Sequence, residues 1–246
     1  MHLYTSPGVV LNKLRYLESD LIVTVFSKTE GKVKAMVKGG ANSKKRFPGA
    51  FEVGNAGEFG FVEKNSYQLT YISHAKISNY FPKIRNDYKK IMMLSYILGI
   101  TDAMLTEHHK HPGLFDALID TLQSLDEDKA MVKVRLLYEL NLLKEIGLLP
   151  AIEKCELCGA SFKNEVNFLK QIGKFVCNNC IPPDAEFFRI PDYLLEWIKA
   201  INSDKPINIY DVNYDIPHSI FNITTTLMAN YIDKPLKIWQ IINTIH

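Results

Sequence analysis

Cys155 and Cys158 form one pair and Cys177 and Cys180 a second, with eighteen residues between the pairs, and the chain has no other cysteine. Two intervening residues let both thiolates of a tight turn reach one ion, and a second such turn closes a tetrahedral, all-sulfur shell. The spacing predicts one structural Zn2+, because four thiolates leave no coordination position for water or substrate. The same cysteines could instead form two disulfides, which would need an oxidising compartment. The opening residues MHLYTSPGVVLNK lack the charged segment, apolar run and small-residue cleavage site of an export signal.

A second kind of chemistry is carried by charge. In residues 32–38 a period of two sends Val33, Ala35 and Val37 to one face and Lys32, Lys34, Met36 and Lys38 to the other. The next segment, 39–49, is a glycine-bounded loop in which Lys44, Lys45 and Arg46 form the densest positive cluster of the chain. A basic strand face continuous with a basic loop is what a phosphate backbone would meet, so these six cations are candidate nucleic-acid contacts. The competing reading is a face that only keeps the protein in solution. Lys13 and Arg15 are weaker candidates, and Tyr16, Phe47 and Tyr71 are candidate base-stacking rings, although aromatics in a small β-structure are usually core.

Catalytic signatures point the other way. The chain contains no GxxxxGK[ST], GxGxxG, HExxH or GxSxG, and no HxE to accompany the cysteines as in a zinc deaminase. Glu107, His108, His109 and His111 sit beside Pro112-Gly113 without a spaced partner and read as a solvated loop. Asp126-Glu127-Asp128 reads as the charged start of a helix. The expectation is a protein that is not an enzyme.

These residues need elements to hold them. A chain of 246 residues, 47% hydrophobic and 23% charged, can bury one large or two modest cores. No run of about eighteen apolar residues occurs, so the expected setting is cytoplasmic and soluble, with no membrane. Residues 1–80 carry eleven Lys or Arg against six Asp or Glu, whereas 81–246 carry eighteen against twenty-one. That asymmetry suggests a basic N-terminal part facing a polyanion.

Segments 8–15, 21–27, 32–39, 50–63 and 67–77 are rich in Val, Ile, Phe and Tyr, and turn formers such as Glu30-Gly31, Pro48-Gly49 and Asn65-Ser66 break them. Five short strands imply a small barrel or sandwich. After Tyr80 the apolar period lengthens to three and four, predicting helices over 87–105, 114–125, 129–149, 192–200 and 218–246. The cysteine segment, about 152–184, is therefore inserted between helices. The expected domains are 1–80 and 81–246.

Val10-Leu11, Tyr16-Leu17-Glu18-Ser19-Asp20, Ile22-Val23-Thr24-Val25-Phe26-Ser27, Glu30-Gly31-Lys32 and the run from Lys38 to Phe47 resemble, in order and spacing, the opening of the RecO family of DNA repair proteins. Arg135-Leu136-Leu137, Leu148-Leu149-Pro150 and Cys155-Glu156-Leu157-Cys158-Gly159 resemble the helix leading into its zinc knuckle, and Tyr231 to Lys237 resembles its C-terminal signature. Some members lack the cysteines, whereas this chain keeps all four.

The resemblance implies an α+β multidomain protein: an N-terminal five-stranded OB-fold β-barrel, then an α-helical domain with an inserted four-cysteine zinc ribbon. It further implies a nucleoid-associated mediator that binds single- and double-stranded DNA, anneals strands, and works with RecR to load RecA on DNA coated by single-strand binding protein, whose C-terminal tail it would contact. The rival readings are a zinc-ribbon interaction module of the transcription or translation machinery, and an enzyme without a recognised motif.

Overall fold

The computed structural model describes residues 2–63, 70–162, 165–203, 205, 216–217 and 219–232. The Asn65-Ser66 turn and the part of the C-terminal signature beyond Ile232 lie outside the described residues. The chain forms two compact units, one reaching Met131 and the next starting at Val132. Helices α1–α3, defined below, thus group with the strands that precede them.

In the first unit, β1 (His2–Tyr16), β2 (Asp20–Ser27), β3 (Gly31–Val37), β4 (Ala56–Glu63) and β5 (Thr70–Asn79) close into a barrel in the order β1-β2-β3-β5-β4. All neighbours are antiparallel except β3 and β5, which pair parallel from Ala35 opposite Thr70. This five-stranded closed barrel is the OB architecture. The alternation expected in 32–38 holds: Val33, Ala35 and Val37 are fully buried and pack with Val10, Val23, Val25, Phe59 and Phe61.

The strand expected over 50–63 starts only at Ala56. Phe47, Ala50 and Phe51 turn inward and join the barrel core, so the preceding stretch serves as a plug. Asn55 fixes the plug by donating its side-chain amide to the carbonyls of Gly49 and Ala50 at 2.9 and 3.2 Å. The apolar residues Ala50 and Phe51 suit a strand by composition, but their burial comes from capping the barrel end.

Helices follow in α1 (Pro82–Arg85), α2 (Tyr88–Met104) and α3 (Pro112–Asp126). Asp87 caps α2 by accepting from the Lys90 backbone N–H at 3.2 Å. The acidic trio does something other than start a helix. Asp126 accepts from the Ile84 backbone N–H at 3.0 Å, and Asp128 binds Lys83 at 3.0 Å and Lys90 at 2.6 Å. These bonds fasten α3's end to α1 and α2. The histidine loop is exposed as expected, and it also pairs with β3, His108 donating its backbone N–H to the Lys32 carbonyl at 3.0 Å. Gly31 permits this approach: its φ is 71°, and a Cβ there would sit 1.9 Å from the His109 carbonyl oxygen.

The second unit contains α4 (Met131–Glu145), a three-stranded antiparallel sheet of β6 (Asn167–Leu169), β7 (Lys174–Val176) and β8 (Phe187–Arg189) in the order β7-β6-β8, then α5 (Asp192–Asn202) and α6 (Ser219–Ala229). Leu136, Leu140, Phe168, Phe175, Leu194, Ile198 and Ile220 form its core. The helix expected over 129–149 ends at Glu145, and Gly147, at φ 76°, lies just past it. The helical pattern over 218–246 is realised as α6, which ends at Ala229, and the remainder from 233 lies outside the described residues.

Candidate nucleic-acid interface and metal centre

The two cysteine pairs meet. The Sγ atoms of Cys155, Cys158, Cys177 and Cys180 all lie within 4.8 Å of one another, with Cys158 and Cys177 3.8 Å apart, and none is in a disulfide. A metal–sulfur bond of about 2.3 Å in a tetrahedron sets sulfurs about 3.8 Å apart, so the cluster has the dimensions of a four-thiolate metal site.

Backbone hydrogen bonds shape each knuckle. Cys155 donates its N–H to the Ala160 carbonyl at 2.8 Å, Gly159 donates back to the Cys155 carbonyl at 2.9 Å, and Cys180 donates to the Cys177 carbonyl at 3.0 Å. Glu156 anchors the first knuckle to β7, its carboxylate accepting from the Phe175 N–H and its own N–H donating to the Phe175 carbonyl. Leu169, Val176 and Cys155 make the small core beneath.

The thiols differ in electrostatics. Burial pushes the Cys155 thiol up, but backbone N–H groups of Cys158, Cys177 and Leu157 donate to it and bring it down to about 6. The neighbouring Cys158 sulfur, followed by burial, pushes Cys180 up to about 12. Four crowded sulfurs oppose one another's ionisation, and a divalent cation at their centre reverses that opposition.

The six cations read from the sequence separate into two situations. Lys34, Lys38, Lys44, Lys45 and Arg46 are exposed. Lys38 Nζ stands 5.3 Å from the centre of the Tyr71 ring. Arg46 stacks on the Phe47 ring at 4.7 Å and donates to the Ser73 carbonyl at 2.8 Å, so the basic loop is pinned to β5. Lys32 is different: its ammonium donates to the Asp102 carbonyl at 2.5 Å, lies 3.3 Å from the Asp102 carboxylate, and keeps only 13% side-chain exposure. It joins the barrel to α2.

Lys13 and Arg15 line a cleft of about 310 Å³ at the barrel mouth with Leu21, Phe47, Phe51 and Glu52, and Lys13 pairs with Glu52 at 2.6 Å. Among the candidate rings, Phe47 is 3% exposed and belongs to the core, while Tyr16 is 41% exposed and Tyr71 half-buried.

One polar feature was not anticipated. Arg135 and Glu139 on α4 form an ion pair at 2.7 Å in which Glu139 has no solvent exposure. The Thr224 hydroxyl donates to the same carboxylate, and the guanidinium lies 3.9 Å from the Phe221 ring. The i,i+4 spacing of Arg135 and Glu139 was the available signal, but helical spacing alone ordinarily indicates a surface pair. Among the described residues, no helix is long and apolar enough to cross a membrane.

Comparison with known proteins gives two family matches in succession along the chain. The family signature "Recombination protein O N terminal" matches residues 1–81 and "Recombination protein O C terminal" matches 85–240. The chain is 34% identical to the DNA repair protein RecO of Pelobacter propionicus over 180 residues, 73% of each chain. It is 29% identical to that of Myxococcus xanthus over 201 residues, 82% of each, and 22% identical to that of Acetivibrio thermocellus over 239 residues, covering 96% of this chain and 93% of the relative.

Proposed function

The chain belongs to the RecO family, which gives it a role in DNA repair, and from that premise we propose that it is a recombination mediator that binds DNA through the outside of its barrel and has no catalytic centre of its own. The observation that carries this reading is the closed barrel presenting Lys34 and Lys38 on one strand, with Lys44, Lys45 and Arg46 in the loop pinned beside it. Each cation that neutralises a phosphate releases condensed counterions, and contacts to the backbone do not depend on sequence. Such a surface takes single strands and duplexes alike. By screening the repulsion between two strands it lets complementary ones meet and pair. Lys32, held by Asp102, contributes to the potential rather than by direct contact.

The division of labour runs between residues 1–80, which bind DNA, and 81–246, which meet protein partners. The partners are RecR, the C-terminal tail of single-strand binding protein and, indirectly, RecA. The four cysteines hold one structural Zn2+ that shapes the ribbon and takes no part in a reaction.

The deciding experiment is annealing of complementary strands precoated with single-strand binding protein, followed without nucleotide. Faster annealing with this protein, and faster RecA filament growth when RecR is added, is the expected result. A protein that leaves bare and coated strands annealing at their spontaneous rate would sink the mediator reading.

A further inference from the structure

The barrel's outer surface carries a row of apolar side chains that its core does not use. Leu14 on β1 pairs with Ile22 on β2, Ile22 with Met36 on β3, and Met36 with Tyr71 on β5. Their strand neighbours Leu21, Val23, Ala35, Val37 and Ile72 fill the core, so these four side chains face outward. Leu14 is 56% exposed, and Ile22, Met36 and Tyr71 are half-buried. Leu14 takes this side because β1 shifts register between Val10 and Asn12. Four strands about 4.8 Å apart make the row about 14 Å long.

Charge flanks the row on both sides. Lys34 and Lys38 stand two residues before and after Met36 on the same outward face, Lys38 with its ammonium at the Tyr71 ring. At the β5 end, Arg46 is tied to Ser73, two residues beyond Tyr71. Asp20, which begins β2 two residues before Ile22, already accepts from the Gly39 N–H at 2.8 Å and the Ser19 hydroxyl at 3.2 Å.

We propose that the row Leu14, Ile22, Met36 and Tyr71 is a platform for the faces of unpaired bases, so that the barrel holds a single strand by its bases as well as its phosphates. This rests on the DNA-binding reading above and deepens it. A strip of apolar stations rimmed by cations matches a polymer with flat apolar rings and a charged backbone. A duplex keeps its base faces stacked inside and can use only the lysines. The row lies on the convex outside of the sheet, and its positive rim disfavours a neutral apolar peptide.

The test uses the full-length protein with 13C-labelled methionine methyls, the Met36 signal being identified by its loss in Met36→Leu. Saturation with a single-stranded oligodeoxyadenylate should move the Met36 methyl upfield through the ring current of a base, and saturation with a blunt duplex of equal length should leave it in place. Tyr71→Ala should weaken single-strand affinity about five- to a hundredfold, and Leu14→Ser should weaken it in the same direction. Neither should change duplex affinity or the slope of log affinity against log salt.

A Met36 methyl that stays put in the saturated single-strand complex, or equal losses for both polymers, overturns the platform while leaving DNA binding intact. A methyl that moves with an acidic apolar peptide and not with oligonucleotide assigns the row to a protein partner and overturns it too. If neither polymer binds at low salt, both this inference and the DNA-binding reading fall.

Discussion

The barrel and the cysteine ribbon are both small β-structures, and they are held by opposite means. The barrel closes on a core of long strands that includes Val10, Val23, Val25, Phe59 and Phe61 at or near zero exposure. The ribbon's strands have three residues each; Phe168 and Phe175 join the core formed with α4, α5 and α6, and the cluster beneath the cysteines is small, built on Cys155, Leu169 and Val176. Burying apolar area stabilises by about 25 cal/mol per Å²; the cysteine side of the ribbon has little of it to bury, and four thiolates at metal-site spacing offer metal bonds in place of a core. The difference bears on function. Part of the barrel's outer face packs on α2 through Lys32 and Asp102, while Lys34 and Lys38 stay exposed; the ribbon's four thiols instead face one another.

That contrast can be broken most forcefully at the cysteines. The purified, reduced protein should contain one zinc per chain, and Cys155→Ser with Cys177→Ser should abolish it. Structural zinc in small modules contributes on the order of 10 kcal/mol of folding free energy, so the ribbon should open to protease near 152–184 while the barrel's circular dichroism and DNA affinity persist. A metal-free protein with an intact, protease-resistant ribbon would erase the distinction.

The reciprocal change is Phe59→Ala. Phe59 has no exposure and touches Phe51 across the plug at a ring separation of 6.4 Å. Loss of about 3–5 kcal/mol is expected in urea unfolding monitored on the barrel. Zinc content should remain stoichiometric, and a variant that also lost its metal would show that the two regions fold as one.

A smaller effect sharpens the functional half of the contrast. Replacing Lys44, Lys45 and Arg46 together with Gln should flatten the salt dependence of single-strand binding by about two log units per log unit of salt, at about 0.7 per phosphate. Affinity should fall alike for unrelated sequences, as fluorescence anisotropy would show. Stability should change by no more than about 1 kcal/mol, the scale of the exposed Arg46 to Ser73 hydrogen bond. An unchanged slope would move the DNA path elsewhere on the barrel.

The smallest effect concerns acid. The Lys90 ammonium, then Lys83, hydrogen-bond Asp128 and hold its carboxyl below the ordinary carboxylate range. A carboxyl depressed in the folded state adds stability that is complete above its unfolded pKa and is lost as pH falls through the folded value. Melting temperature should therefore decline from about pH 4 downward, and Asp128→Asn should flatten that decline. Asn is suited to the variant because it tolerates the left-handed backbone at residue 128, where φ is 66°. Parallel pH curves for the two proteins would show that the contact carries no proton linkage.

Much of this was legible in the residues. Two cysteines three positions apart shape one tight turn, and their reach is local, so the meeting of the four thiols followed from sequence spacing. Period-two alternation in 32–38 placed Val33, Ala35 and Val37 inside because the pleat sends successive side chains to opposite faces. The helices between Asp87 and Gly147 followed from apolar residues spaced three and four apart.

Other features depended on contacts between distant residues. Asp126 and Asp128 bind groups about forty positions earlier, at Ile84, Lys83 and Lys90. Phe47 and Phe51 became a plug rather than a stacking ring and a strand because the barrel's open end needed closing. Lys32 met Asp102 because α2 passes there.

The clearest case is the bulge after Val10. Unbroken alternation from Val10 would turn Leu14 and Tyr16 into the core and leave Lys13 and Arg15 outside. Local sequence determined which residues are apolar and which are charged, and so what each face could bind. Register, set by hydrogen bonds to two different partner strands and to Asn55, decided which face each side chain occupies. A one-residue shift costs little within a strand but reverses every side chain after it, and the strand's own sequence holds no information about its partners' positions.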